Sequence, residues 1–211
     1  MKASHRRSTL ALAVLSLLGE AEQQGENSMH PYRMQQLLKA RGKDQVVNVG
    51  QRASLYRTID RLRRSGLIEV REVSREGARP ERTAYSLTQQ GRSTWREWML
   101  DALATPMKDY PVFPAAIAFI PMLTSQEVLS QLEKRLELLT DELACIEAEL
   151  STDSGVPRLF MLEMEFLKAT TEVERTWVAS LIDDLRAGVI SWSEDQLRAL
   201  AMQVRGQEPA E

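Results

Sequence analysis

A chain of 211 residues, 43% of them hydrophobic and with only 10 Gly and 8 Pro, has the size of one large or two small domains and is too apolar for disorder to dominate. Its net charge of −3 hides a division, because residues 1–104 carry 18 Lys and Arg against 11 Asp and Glu, whereas residues 105–211 carry 9 against 19. A basic half suits contact with a polyanion and an acidic half a separate task; the lone Cys145 excludes an intramolecular disulfide framework, and His5 and His30 alone leave little for metal binding or His-dependent catalysis.

Lys2, Arg6 and Arg7 before the apolar run Leu10–Leu18 imitate a secretory signal, but an amphipathic first helix over Thr9–Leu18, ended by Gly19, accounts for the same residues and predicts a cytoplasmic protein. Glu20–Asn27 is polar and turn-forming. Ser28 is placed to cap a second helix that runs to about Arg41, with Tyr32, Met34, Leu37 and Leu38 as its apolar positions. After the connector Gly42–Gly50, a third helix spans about Gln51–Ser65 and stops at Gly66. The period then changes: Leu67–Val73 and Thr83–Leu87 read as two strands about the charged turn Ser74–Glu81. Thr88 caps a fourth helix through Trp95 and Trp98 towards Leu103. Three helices followed by a hairpin is the winged helix-turn-helix order.

Four prolines divide residues 105–124, predicting a linker with one short helix over Ala115–Ile120. Beyond it Leu129, Leu132, Leu136, Leu139, Leu143, Ile146 and Leu150 alternate spacings of three and four, a heptad seam. The next helix is expected to place Leu162, Phe166, Val173, Trp177, Leu181 and Leu185 along one face, and Ser193 with Gln196 forms a capping box for a tail helix. The apolar stretches are too short and interrupted to span a membrane. The fold class expected is mainly α: a winged helix-turn-helix domain with its fourth helix at 8–104, a linker at 105–124, an antiparallel, coiled-coil-like helical dimerisation domain at 125–190, and a tail at 191–211.

The third helix carries the densest basic cluster in the chain, five arginines within residues 52–64 with Asp60 the only acid. Leu55, Ile59 and Leu62 share one face, so the opposite side presents Ala53, Arg57, Asp60, Arg61 and Arg64, flanked by Ser54 and Tyr56. Arginine's planar fork bonds guanine O6 and N7 together or clamps a phosphate. Arg52, Ser54 and Arg57, near the helix start, are therefore the residues expected at base edges, with Arg61 and Arg64 at phosphates. Arg75, Arg79 and Arg82 bracket the hairpin turn, where a wing reaches the DNA backbone or an adjacent minor groove. Tyr56 offers a hydroxyl to phosphate; Tyr85 fits contact and core equally. No Gly-rich phosphate loop, metal-ligand spacing or nucleophile–base pattern points to an enzyme, and no cofactor is expected. A protein-docking module is the rival reading, but docking has no need of a basic face at 52–64.

These segments resemble the PadR family of bacterial transcriptional regulators in its longer form, through ALAVLSLL at 11–18, MHPYRM at 29–34, SLYRTIDRLRRSGLIE at 54–69, YSLTQQGR at 85–92, PVFPAAIAFIPML at 111–123 and PRLFMLEMEFLKA at 157–169. The resemblance implies a homodimeric repressor of the bacterial nucleoid, in which the N-terminal domains read a dyad-symmetric operator in double-stranded DNA. It implies that the position of Tyr56 and its helix touch DNA, and that C-terminal helices supply the dimer contacts, here through Leu129, Leu132, Leu136, Leu139, Leu143, Phe166, Val173 and Trp177. It also admits a small aromatic effector, for which Trp95 and Trp98, three apart on the fourth helix, are the lining residues. Pro31 and Arg57 depart from the family pattern, which has glycine and proline there; the second departure makes the helix more basic. Geometry asks for a dimer independently, because two recognition helices must lie about 34 Å apart to enter successive major grooves. The heptad seam is expected to pack in an intramolecular hairpin with the chain's own last helix, whose remaining surface pairs with a twin.

Overall fold

The computed structural model describes residues 8–74, 82–106, 110–152 and 155–205. The chain divides into two compact units, 1–108 and 109–211. No helix among the described residues is long and apolar enough to cross a membrane.

The first unit begins with α1 (Thr9–Gln23), where the Ser8 side chain accepts a hydrogen bond from the Ala11 amide at 3.2 Å. Gly19 does not end this helix, contrary to the sequence expectation. It is buried and packs on Leu87, and the helix formers Glu20, Ala21 and Glu22 carry α1 across it. The stop is Gly25, at φ +82°, whose amide bonds to the Glu22 carbonyl while Glu26 reaches Ala21, the two bonds of a Schellman cap.

Helix α2 (Pro31–Ala40) starts from His30 without a side-chain cap, so Ser28 does not take that role. The chain instead stays extended at Met29, which exchanges backbone hydrogen bonds of 2.9 and 3.0 Å with Tyr85. A short 3₁₀ turn, Lys43–Gln45, occupies the connector.

Helix α3 (Arg52–Arg64) ends as its sequence predicts, with Gly66 at φ +70° and a second Schellman cap: Gly66 bonds to Arg63, and Leu67 to Leu62. That cap turns the chain into β1 (Ile68–Ser74), antiparallel to β2 (Arg82–Leu87) from Ile68 opposite Leu87, with a bulge between Val70 and Glu72. Thr88 then caps α4 (Gln89–Ala104), accepting from the Gly91 amide at 2.9 Å and donating to the Gly66 carbonyl at 2.6 Å.

The core of this unit joins Val14, Leu15 and Leu18 of α1 to Met34 and Leu38 of α2, Leu55, Ile59 and Leu62 of α3, and Leu67, Ile68 and Leu87 at the sheet. Each large aliphatic side chain fully buried there contributes about 1.5–3 kcal/mol.

In the second unit α5 (Val112–Ala118) lies before the expected Ala115–Ile120, with Pro114 in the first turn, where a missing N–H costs nothing. Its Phe113, with Ile120 of the following 3₁₀ turn, packs on the unit's own core. Thr124 and Glu127 form a capping box for α6 (Ser125–Ser151). Helix α7 (Leu162–Arg186) returns antiparallel to α6, and the pairs Lys168–Glu147 (2.9 Å), Arg135–Glu174 and Arg186–Glu133 (2.7 Å) run in opposite sequence directions along the two helices. The Ser193–Gln196 box forms ahead of α8 (Glu194–Arg205).

The heptad seam of α6 is consumed within the chain: Leu132, Leu139, Leu143 and Ile146 are buried, and Leu129 and Leu136 partly so. On α7 the buried residues are Met164, Thr171, Val178 and Ile182, not the expected stripe. Leu181 and Leu185 stay at the margin of that core, but Leu162, Phe166, Val173 and Trp177 are exposed. Phe166 and Val173 follow Met164 and Thr171 by two residues, about 200° around a helix, so the two apolar stripes face opposite ways.

Candidate nucleic-acid interface

Helix α3 is held by one side. Leu55, Thr58, Ile59 and Leu62 are buried, while Arg52, Ala53, Tyr56, Arg57, Arg61, Arg63 and Arg64 are exposed and Ser54 and Asp60 partly so. The periodicity therefore places the arginine face in solvent, as expected. Arg63, absent from the expected contacts, is exposed as well, at the flank of that face.

The arginines differ in what already holds them. Arg57 folds back along its own helix, donating to the Ala53 carbonyl at 3.2 Å and the Ser54 hydroxyl at 3.4 Å. Arg61 donates to the Ser8 hydroxyl at 3.2 Å, tying α3 to the start of α1. Arg63 and Arg64 share Asp60, at 3.1 Å and, through the Arg64 Nε, 2.8 Å. These two guanidiniums hold the Asp60 carboxyl below the usual carboxylate range, Arg64 contributing most. All are surface contacts, which bulk water and salt weaken and which a phosphate can replace.

Tyr32 joins this surface although its sequence position suggested an apolar role. Pro31, Met34 and Leu38 form the buried stripe of α2, and Tyr32, one residue off it, is 53% exposed. The Arg52 guanidinium lies 5.5 Å from its ring centroid, and its hydroxyl accepts from Gln36 at 2.9 Å. The off-stripe position was the available signal. Tyr56 is equally open, at 51%. Tyr85 is half-buried against the core, and burial raises its phenol above the ordinary tyrosine value.

Of the wing residues, Arg75 and Arg79 lie outside the described residues; Arg82 opens β2, and its side chain also lies outside them. Trp95 and Trp98 do not form one open pair. Both pack on the core, and the Trp95 indole donates to Ser16 at 3.0 Å, whereas Trp98 lines a surface cavity of about 590 Å³ with Glu97, Leu100, Asp101 and Ala104. The structure separates the residues expected at a dimer contact: Leu132, Leu139 and Leu143 are covered by the chain itself, and Phe166, Val173 and Trp177 are left open.

Residues 14–97 match the family described as the transcriptional regulator PadR-like family. No curated protein sequence matches the chain. Among solved structures, Bacillus subtilis PadR in complex with operator DNA is similar at a TM-score of 0.62 and 19% identity, over 84% of this chain and 99% of that one. The same protein in complex with p-coumaric acid gives 0.63 and 16%, over 85% and 99%. The Vibrio cholerae virulence activator AphA gives 0.60 and 18%, over 85% and 99%. At these identities the likeness is one of fold, and it takes in the winged helix and the helical region that follows.

Proposed function

We propose that this chain, whose residues 14–97 match the PadR-like transcriptional regulator family, is a sequence-specific DNA-binding protein that acts as a homodimeric repressor on a dyad-symmetric operator. The observation that carries this reading is the outer face of α3: Arg52, Arg57, Arg61, Arg63 and Arg64 stand exposed on a helix whose other side is locked into a winged-helix core. A helix of about 10–12 Å diameter fits a major groove about 12 Å wide, and arginines so displayed meet guanine edges and phosphates. A solved relative by fold holds operator DNA. Protein docking, the rival class, gives no reason for this concentration of charge.

The test is binding of the full chain to genomic fragments, followed by Arg57→Ala/Arg61→Ala on the fragment recovered. The double variant should keep its thermal midpoint and lose about 30-fold or more in affinity, since each such contact is worth about 1–3 kcal/mol at a base and less at a phosphate. A folded double variant that binds as tightly as the parent would remove α3 as the reading helix. Deleting the gene should raise expression from the recovered promoter; a fall would place the protein with activators.

The dimer is supported by the exposed Phe166 and Val173 on one face of α7, with Trp177 further along it, half-open and edge-on to Phe113 at 6.2 Å between ring centroids. Response to a small aromatic compound is supported by the Trp98 cavity and by the fold relative that holds p-coumaric acid. Titration with such acids should quench Trp98 and weaken DNA binding together; quenching that Trp98→Phe leaves intact would dissociate the cavity from the response.

A further inference from the structure

We infer that Arg52 is the residue of α3 that selects a guanine in the major groove, and that Tyr32 of α2 is the positioning residue that aims it; this rests on the DNA-binding reading above. The five arginines of α3 differ in what their donors already hold. Arg57 is engaged by Ala53 and Ser54 of its own helix, Arg61 by Ser8, and Arg63 and Arg64 by Asp60. Arg52 alone of the five has no hydrogen-bond acceptor among the described residues, and its guanidinium lies over the Tyr32 ring instead, 5.5 Å from the centroid. A cation–π contact within about 6 Å restrains a guanidinium through its charge and leaves its N–H donors for an acceptor. Guanine offers two adjacent acceptors, O6 and N7, in the major groove, which the planar fork of arginine matches.

Both residues stand on fixed supports. Pro31 and Met34, before and after Tyr32, are buried, and Met29 is bridged to Tyr85. Gln36, one turn further along α2, donates to the Tyr32 hydroxyl at 2.9 Å, so the ring is held at its root and at its tip. On the other side, the Gln35 side chain donates to the carbonyl of the buried Val49 at 3.0 Å, which pins the chain just ahead of α3 to α2. Arg52 is the first residue of α3, and residues at the start of a recognition helix are the ones that meet base edges. A free arginine loses several rotatable bonds when it docks on a base; one stacked on a fixed ring has lost part of that freedom beforehand. The Tyr32 hydroxyl keeps its own proton to donate, so a direct bond to phosphate is the rival role for this residue, and Tyr32→Phe separates the two.

The experiment selects duplexes with the full chain from a random library, then measures affinity by fluorescence anisotropy for the recovered duplex with each guanine in turn replaced by 7-deazaguanine, which lacks the N7 acceptor. The parent should lose about five-fold or more at a particular guanine. Arg52→Ala should bind the unmodified duplex about ten-fold or more weakly and be indifferent to the replacement at that guanine alone. Tyr32→Leu should weaken the parent about two- to five-fold and change nothing further in the Arg52→Ala background, while Tyr32→Phe stays near the parent. All variants should share the parent's thermal midpoint. An Arg52→Ala protein that keeps the parent's profile across the guanines overturns the assignment and leaves the DNA-binding reading standing. So does a loss equal on every duplex with a salt slope flatter by about 1, the mark of a phosphate contact. A Tyr32→Leu defect that persists without Arg52 and is reproduced by Tyr32→Phe makes Tyr32 a phosphate ligand and overturns its positioning role. A parent that recovers no preferred duplex overturns the inference and the sequence-specific reading together.

Discussion

The two units solve the same problem of burial in different ways. The N-terminal unit closes a core from α1, α2, α3 and the sheet, and its open side chains on α3 are cationic. The C-terminal unit closes a narrower core between α6 and α7 and leaves Leu138, Phe166 and Val173 at 68–71% exposure. An exposed charge on the first unit needs no further protein. An exposed phenylalanine and valine on one face of a long helix, with Trp177 nearby, represent apolar area still to be removed from water, worth about 25 cal/mol per Å² when covered. The face of α3 is left charged and the outer face of α7 is left apolar.

The largest effect should come from breaking that asymmetry. Phe166→Glu/Val173→Glu places charge on the open stripe of α7 without touching Met164, Thr171, Val178 or Ile182, which hold the helix to α6. If the proposed dimer forms through this face, the expected result is a dimeric parent and a folded monomeric variant by analytical ultracentrifugation, with operator affinity reduced about 100-fold or more as two reading heads cease to bind as one. A variant that remains dimeric would move the interface elsewhere.

Gly91→Ala tests the closure of the first unit. A β-carbon at this position would lie 1.9 Å from the Leu67 carbonyl oxygen and 2.9 Å from its carbon, so the start of α4 could not stay against the end of α3. Alanine ordinarily stabilises a helix relative to glycine by about 1 kcal/mol. Here the overlap is with backbone, which has no rotamer to move, and a destabilisation of about 3 kcal/mol is expected from chemical denaturation, confined to the first unit's transition. A neutral or stabilising result would mean that α4 lies further from Leu67.

Much of this was legible in the sequence wherever a period was long enough to resolve. Leu55, Ile59 and Leu62 set the buried side of α3 and hence its arginine face, and the change from helical to alternating spacing after Gly66 gave the hairpin. Glycine alone misled at position 19, because a helix interior tolerates one glycine when its neighbours favour helix; the operative cap at Gly25 is visible only in the backbone angle. The Met29–Tyr85 bridge is a single residue pair and has no period to detect. Thr124 and Glu127 stand at capping-box spacing, a signal present in the sequence ahead of α6. Helix α7 has two apolar stripes, and hydrophobicity alone cannot say which of them faces α6. At the candidate interface, the face was legible and the partners of each arginine were not, since Ser8 and Tyr32 reach α3 only through the tertiary fold.

The smallest expected effect sharpens the division of labour most directly. Asp60 is the one acid on the arginine face, and the guanidiniums of Arg64 and Arg63 depress its titration below the ordinary carboxylate range. A depressed carboxylate stabilises the fold fully above its unfolded value and loses that contribution as pH falls through the folded one, so this pairing is intact at neutral pH and disappears only in acid, below about pH 4. Between pH 6 and 8 it should therefore give DNA binding no pH dependence. Asp60→Asn removes the negative charge from the arginine face and frees Arg63 and Arg64 from their shared partner. Affinity for a mixed-sequence duplex should rise about two- to five-fold, with a salt slope steeper by up to about 1. Glu174→Gln, which releases Arg135 in the acidic unit, should leave both quantities unchanged. If Asp60→Asn weakened binding instead, its carboxylate would be the group that orients Arg63 and Arg64 towards DNA; if Glu174→Gln strengthened binding, the separation of polyanion contact from the C-terminal unit would fail.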